Sequence, residues 1–280
     1  MKCLPRKKTE NMRSDLVKYL LADTLSWRDF IWFITLDTFV LIIALLRIKY
    51  VIVDLHPAAD DNMKRRQRQQ LAWALSCMNG LITSGLSVVY FYINIRQGRS
   101  LSTISFHLEV TPSAAEMLLG RDNLSIIMIT HLALNNIIDL VFGSMYYLEH
   151  LNIGTAWIHH IFYCWMIRAC INGDAIIFKI KPFTRGLGTL LMLEIPTFIL
   201  ALGRVLPQYR SDFWFGVTFF TFRIVFHAYF ILCTVLSNTD IDPGHYFFLI
   251  STFTIHCVWF SKWFKTYGVR LITSIKAKRE

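Results

Sequence analysis

Charge is scarce in this chain. Only 17% of its 280 residues are Asp, Glu, Lys or Arg, and the 19 acids are outnumbered by 29 bases. Together with 54% hydrophobic and 15% aromatic residues and a mean hydropathy of +0.43, this excludes an ordinary soluble domain. There is no linker, internal repeat or low-complexity segment to mark off a separate module. No small-residue cleavage pattern follows the basic Lys2, Arg6, Lys7 and Lys8, and the first long apolar stretch outruns a signal-peptide core, so it is expected to stay as an anchor. The six cysteines, Cys3, Cys77, Cys164, Cys170, Cys233 and Cys257, contain no C-x-x-C pair and fall mostly inside apolar runs; neither a disulfide nor a metal is assigned to them. The nine histidines include one adjacent pair and lack the repeated H-x-x-x-H and H-x-x-H-H boxes of a membrane di-iron centre, so no metal and no resident cofactor is expected.

What the chain has in abundance is apolar runs. Crossing a bilayer takes about 20 residues, and stretches of that order lie near 31–53, 71–95, 125–148, 153–171, 187–206, 213–236 and 246–264. The fold class read from this is all-α, a polytopic transmembrane helix bundle of about seven spans. These spans and their connections use up almost the whole chain, so any chemistry belongs inside the bundle or at its rims. The net charge of +10 is concentrated in the N-terminal segment, in Lys64-Arg65-Arg66-Gln67-Arg68 and from Lys262 to Arg279. All three places flank spans, where cations meet lipid headgroups, so a membrane partner accounts for them and no nucleic acid is expected. The two N-terminal clusters fall on opposite faces of a seven-span bundle, which leaves orientation open. An interfacial helix over residues 14–29, with Leu16, Leu20 and Trp27 on one side, would reconcile them. The acceptor-type sequon Asn123-Leu124-Ser125 abuts a span, too close to the membrane to be modified. Residues 96–124 make a long connection, read as a re-entrant or surface helix that could cover a cavity.

Inside the apolar runs stand side chains that a hydrocarbon setting makes expensive, and such groups mark functional sites. His131, Asn135 and Asp139 are spaced by four and share one helix face, continued by Gly143 and then Tyr146 or Tyr147. Asn135 and Asp139, with Asn136 beside them, could serve only to join helices. A central carboxylate such as Asp139 costs about 2.5–3.5 kcal/mol on insertion scales, and a neutral amide would join helices as well. His159 and His160 are adjacent, hence about 100° apart around a helix, and suit different roles: one at a reacting group, the other orienting it or binding a neighbouring helix. Glu194 stands two residues before Pro196, with Thr197 following; the proline predicts a mid-span bend that frees a carbonyl. Arg223 and His227, four apart, offer a countercharge to Glu194, either as a structural clasp or as part of a working site.

The runs Asn135-Asn136-Ile137-Ile138-Asp139-Leu140-Val141-Phe142-Gly143, Trp157-Ile158-His159-His160, Leu193-Glu194-Ile195-Pro196-Thr197 and Phe219-Phe220-Thr221-Phe222-Arg223 resemble, in order and spacing, the TLC domain. That domain is shared by ceramide synthases, translocation-associated membrane proteins and further lipid-linked homologues. The resemblance covers roughly residues 68–272. It divides the chain into a basic N-terminal segment with a first span (1–67), the TLC-like region with six of the spans (68–272) and a basic tail (273–280). It implies a helical bundle around a lipid-sized cavity, a place in the endoplasmic reticulum or a related endomembrane, and a role in sphingolipid or phospholipid handling. Its paired histidines match His159 and His160. The remainder of the synthase signature is replaced here by Ile161-Phe162-Tyr163-Cys164-Trp165-Met166 and a lone Glu194, which moves the chain toward the non-synthase members.

The expectation is therefore a multi-pass membrane protein that binds lipid and influences membrane composition. The alternative is an N-acyltransferase joining an acyl-CoA co-substrate to a long-chain base. In that version His159, His160 and Asp139 are the catalytic candidates, and His131, Asn135, Asn136, Glu194, Thr197, Arg223 and His227 line the lipid cavity. A transporter or seven-helix receptor is a more distant reading. A homo-oligomer is left open by the sequence.

Overall fold

A computed structural model of the chain describes residues 16–55, 57–97, 120–172, 183–236 and 243–268. The regular structure among them is helical, apart from a bridge between Gly120 and Phe183. Seven long helices alternate in direction. Helix α1 runs Trp27–Asp54, α2 Asp61–Arg96, α3 Asn123–Tyr146, α5 Thr184–Val205, α6 Asp212–Leu236 and α7 Pro243–Tyr267; these six are long and apolar enough to cross a membrane. Helix α4 joins a π-helical Ile153–Ile158 to an α-helical His159–Asn172 and alternates with the others, but His159, His160 and Arg168 lower its apolarity and it is not among the six. The chain is thus an all-α, multi-pass integral membrane protein.

The helix starts are written locally. Ser26, Asp60, Asp122 and Ser211 are extended N-caps whose side chains accept the backbone N–H three residues on, at 3.1, 2.7, 2.8 and 3.2 Å. Asp60 starts α2 ten residues ahead of the apolar run at Leu71, so the Lys64–Arg68 cluster is the first part of a helix rather than a loop. The expected interfacial helix is shorter than 14–29: residues 16–21 are helical, and α1 begins afresh at Trp27.

The two ends of the bundle differ. At one end, the closed end, the start of α3 is tied down by polar bonds. Asp122 is fully buried and accepts Tyr90 Oη at 2.7 Å and Arg185 Nε at 3.1 Å. Asn123 donates Nδ2 to Tyr19 O at 2.7 Å, and its Oδ1 accepts Thr24 N at 3.1 Å. The amide of the sequon is therefore spent on the N-terminal segment. Apolar packing fills this half: Met128, Ile129, Ile167, Cys170, Leu187, Leu190, Phe230 and Phe248 belong to one buried cluster. At the other, open end a smaller cluster of Leu45, Leu71, Leu75, Phe142 and Tyr147 holds α1 against α2 and α3. The rest of the open half is polar. Of the connection read as a lid, 98–119 lies outside the described residues, as do 1–15 and the basic tail 269–280.

Candidate functional site

In the open half, α2 to α7 surround a cavity of about 520 Å³, a size that accommodates a small-molecule ligand or part of a lipid. Each wall comes from a helix face that the sequence makes polar or aromatic. From α2 come Gln69, Trp73, Ser76 and Asn79, from α3 Asn135, Asn136 and Asp139, from α4 His159, His160 and Tyr163. Glu194 and Thr197 come from α5, Arg223 from α6 and Trp259 from α7. The cavity reaches from Gln69 to Asn79, ten residues of α2 or about 15 Å of depth.

Asp139 is held by Tyr147. The chain turns back after α3 through a 3-10 turn, Leu148–His150, and the buried Tyr147 hydroxyl donates to Asp139 Oδ1 at 2.5 Å. Gly143 makes this fold-back fit, because a Cβ there would lie 2.7 Å from Tyr147 Cε2 and 2.8 Å from Leu151 Cδ1. The other carboxylate oxygen, Oδ2, faces His160 Nδ1 at 3.5 Å. His159 turns elsewhere. Its ring centroid is 4.5 Å from that of Tyr163, 6.1 Å from Trp259 and 5.6 Å from His160. The adjacent histidines thus address different neighbours, one a carboxylate and the other an aromatic wall.

The opposite wall is built at a break. Helix α5 passes through a 3-10 stretch, Leu191–Glu194, before restarting at Ile195 with Pro196 in its first turn. The Leu193 carbonyl at this break accepts Arg223 Nε at 2.8 Å, and Thr197 Oγ1 accepts Arg223 Nη2 at 2.6 Å. Glu194 Oε1 lies 3.8 Å from Arg223 Nη2, close enough for charge balance but not for a hydrogen bond. Arg223 lies within a π-helical segment, Phe219–Phe226, and its guanidinium carbon stands 5.3 Å from the Phe219 ring centroid and 5.9 Å from that of Trp259. Of the four π-helical segments among the described residues, this one and the one leading into His159 border the cavity, while Tyr50–Asp54 and Phe264–Gly268 do not.

Two of the sequence-derived residues lie elsewhere. His131, on the same stripe as Asp139, points at α1: its Nδ1 sits 2.9 Å from Asp37 Oδ2. A stripe of four-residue spacing drifts around the helix, so its first member meets the first span while Asn135 and Asp139 meet the cavity. His227 lies one turn beyond Arg223 and hydrogen-bonds His256, Nδ1 to Nδ1 at 3.2 Å, both rings buried. That bond needs one ring protonated at Nδ1 and the other not. Sequence reasoning missed Gln69, Trp73, Ser76 and Asn79, although their three- and four-residue spacing is a polar stripe in a helix otherwise apolar on its outer side. It also missed Tyr163 and Trp259, for which composition gives no signal in so aromatic a chain.

Several buried polar atoms on the walls have no hydrogen-bond partner among the described residues: Asn79 Oδ1, Asn135 Oδ1, His160 Nδ1 and, at the rim, His150 Nε2. Groups of this kind are costly in a dry interior and fit a ligand that carries donors and acceptors of its own. Beyond the rim a shallow recess lined by Asn62, Arg65, Arg66, Gln69 and His150 shares Gln69 and His150 with the cavity. The mouth is therefore basic.

The class defined by fold and site is a multi-pass membrane protein with a polar, titratable cavity opening at one end of its bundle. Comparison of the chain with models of known families, with curated proteins and with solved structures gives no match in any of the three.

Proposed function

We propose that this protein is a TLC-type lipid-handling protein of an endomembrane, the endoplasmic reticulum or a related compartment, whose cavity receives the polar end of an amphiphilic lipid. One observation carries the reading: a single cavity gathers His159, His160, Asp139, Glu194 and Arg223 inside a bundle whose outer surface is apolar. A lipid headgroup entering at Gln69 and His150 meets the guanidinium groups of Arg65 and Arg66 first, which favours a headgroup or carrier bearing phosphate. Deeper in, the amide oxygens of Asn79 and Asn135 accept hydrogen bonds from a hydroxyl or amine. The order and spacing of the motifs that resemble the TLC domain agree with a sphingolipid or phospholipid as the occupant. In this reading the protein sets membrane lipid composition by binding.

The His160–Asp139 pair favours turnover as a second reading. An imidazole facing a carboxylate, here at 3.5 Å, takes the oriented arrangement of a general base once substrate binding shortens that contact to a hydrogen bond. As an N-acyltransferase, the protein would take the proton of a long-chain-base amine on imidazole as nitrogen attacks the thioester carbonyl of an acyl-CoA. The C–N bond forms, the C–S bond breaks, and the thiolate leaves with the proton.

The two readings separate in one experiment on the purified, reconstituted protein. Lipid retained through purification is identified by mass spectrometry, and acyl-CoA-dependent acylation of long-chain bases is assayed beside it. A binding protein retains its lipid in the His159→Ala, His160→Ala double variant and loses it in Ala72→Trp, which fills the cavity. An acyltransferase shows wild-type turnover that falls by about 10²–10⁴-fold in the double variant. Retention of no lipid by the wild type, together with no turnover, overturns both.

A further inference from the structure

A second recess lies on the opposite face of α2. It is a groove of about 880 Å³ between the end of α1, the first half of α2 and the end of α5. Its walls are Ile48, Val51 and Ile52 on one side, Ala74, Cys77, Met78 and Leu81 on another, and Val205 and Leu206 on the third. Four further polar or basic groups reach it. Two are spent on the walls themselves: Gln67 Nε2 donates to Ile52 O at 3.0 Å and Gln70 Nε2 to Val205 O at 3.3 Å. The remaining two are Arg47 and Arg66. Both are exposed, neither pairs with a carboxylate among the described residues, and no acid lines the groove.

The position of the two arginines along the membrane normal gives the groove a polarity. Helix α2 has 36 residues, about 54 Å of length against a hydrocarbon core of about 30 Å. Its apolar stretch begins at Leu71, which puts Arg66 about 7 Å further out, at the depth of the headgroup layer. Arg47 stands near the same end of α1 and reaches that layer along its own aliphatic stem. From Arg66 to Leu81 the groove follows fifteen residues, about 22 Å, more than the depth of one leaflet's hydrocarbon. An apolar trough one leaflet deep, crowned by two unpaired guanidinium groups, matches an anionic phospholipid with phosphate at the arginines and an acyl chain laid along Ala74, Cys77 and Leu81.

We infer that this groove is a specific site for an anionic phospholipid, separate from the cavity and on the other side of α2. Arg66 also borders the basic recess at the cavity mouth, so a lipid held there supplies a fixed negative charge beside the entrance. The test is native mass spectrometry of the full chain extracted from vesicles holding equal amounts of phosphatidylcholine and phosphatidylglycerol. The wild type retains phosphatidylglycerol in preference by about thirtyfold, the scale set by two cations at a headgroup layer. The Arg47→Gln, Arg66→Gln variant, altered only at exposed positions, drops to parity. Cys77→Trp, which blocks the trough and leaves both arginines, loses retention of either lipid at this site. The charge-matched control Lys262→Gln, Lys265→Gln, at the same end of the bundle and away from both recesses, keeps the wild-type preference. Equal retention of the two lipids by the wild type overturns the inference, and so does an equal loss of preference in the control, which would reduce the effect to surface charge. Far-UV circular dichroism and a monodisperse elution profile establish that each variant has folded.

Discussion

Tyr147 and Asp139 are eight residues apart, yet they form one of the shortest side-chain bonds in the open half, at 2.5 Å. A buried carboxylate that loses such a donor keeps its desolvation cost without compensation, and hydrogen bonds to charged groups contribute about 1.5–3 kcal/mol. Tyr147→Phe is therefore expected to lower the unfolding free energy by about that amount, measured by loss of helicity in denaturant. In a background of Asp139→Asn the same change is expected to cost less, because the partner no longer carries a charge. Asp139 was legible as a residue with work to do, since no aspartate persists in a span without a partner. That partner was legible only as a member of the same helix face, continued by Tyr146 or Tyr147, and not as its hydrogen-bond donor. Asp37, which engages His131 from the first span, was not legible at all. Sequence spacing ranks faces of one helix; it carries nothing about which neighbour each face meets.

Among the elements, apolar length located every long helix, and proline located the break in α5. The boundaries moved where polar residues extend a helix beyond the hydrophobic stretch, as Asp60 does by capping α2 ahead of Leu71. The π-helical segments at Ile153–Ile158 and Phe219–Phe226 left no periodic trace, because a local widening shifts hydrophobic spacing by less than irregular composition does. Gly143 is the element-scale device with the sharpest consequence. Adding one methyl there improves intrinsic helix propensity by about 0.8–1.0 kcal/mol, while overpacking costs typically about 1–3 kcal/mol. The contacts at 2.7 and 2.8 Å put this site toward the upper part of that range. Gly143→Ala is expected to be destabilising on balance, and to loosen the Tyr147–Asp139 bond. Thermal unfolding in detergent measures the first effect; partial additivity with Tyr147→Phe measures the second.

Across the whole molecule, the described cations are more numerous at the open end, with Lys64, Arg65, Arg66, Arg68, Arg204, Arg210, Lys262 and Lys265, than at the closed end, with Lys18, Arg28, Arg96, Arg121 and Arg185, which the basic N-terminal cluster precedes. Several are matched by an acid, as in the Arg68–Glu149 bond at 2.9 Å and the Arg210–Asp212 bond at 3.2 Å, but the rule for membrane topology counts the cations. The open end is expected to face the cytosol. In sealed microsomes, whose cytosolic face is outward, a cysteine placed at Ala58 should react with a membrane-impermeant maleimide, and one placed at Asp23 should resist it. The reverse pattern would invert the topology. The cavity was legible as a convergence of costly side chains in consecutive spans. Its confinement to one half was not, because only the alternation of the helices brings the late part of α3 beside the early parts of α2, α4 and α6.

That confinement governs how the molecule can move. The closed end is bound by Asp122, Asn123 and Arg185 and packed with aliphatic and aromatic side chains, whereas the open end holds its walls apart around unpartnered amides and imidazoles. The closed end is therefore joined more strongly than the open one. The bundle behaves as tongs riveted at the Asp122 end: a small angular play there widens the gap between Gln69 and His150 most, and admits a guest without unpacking the rivet.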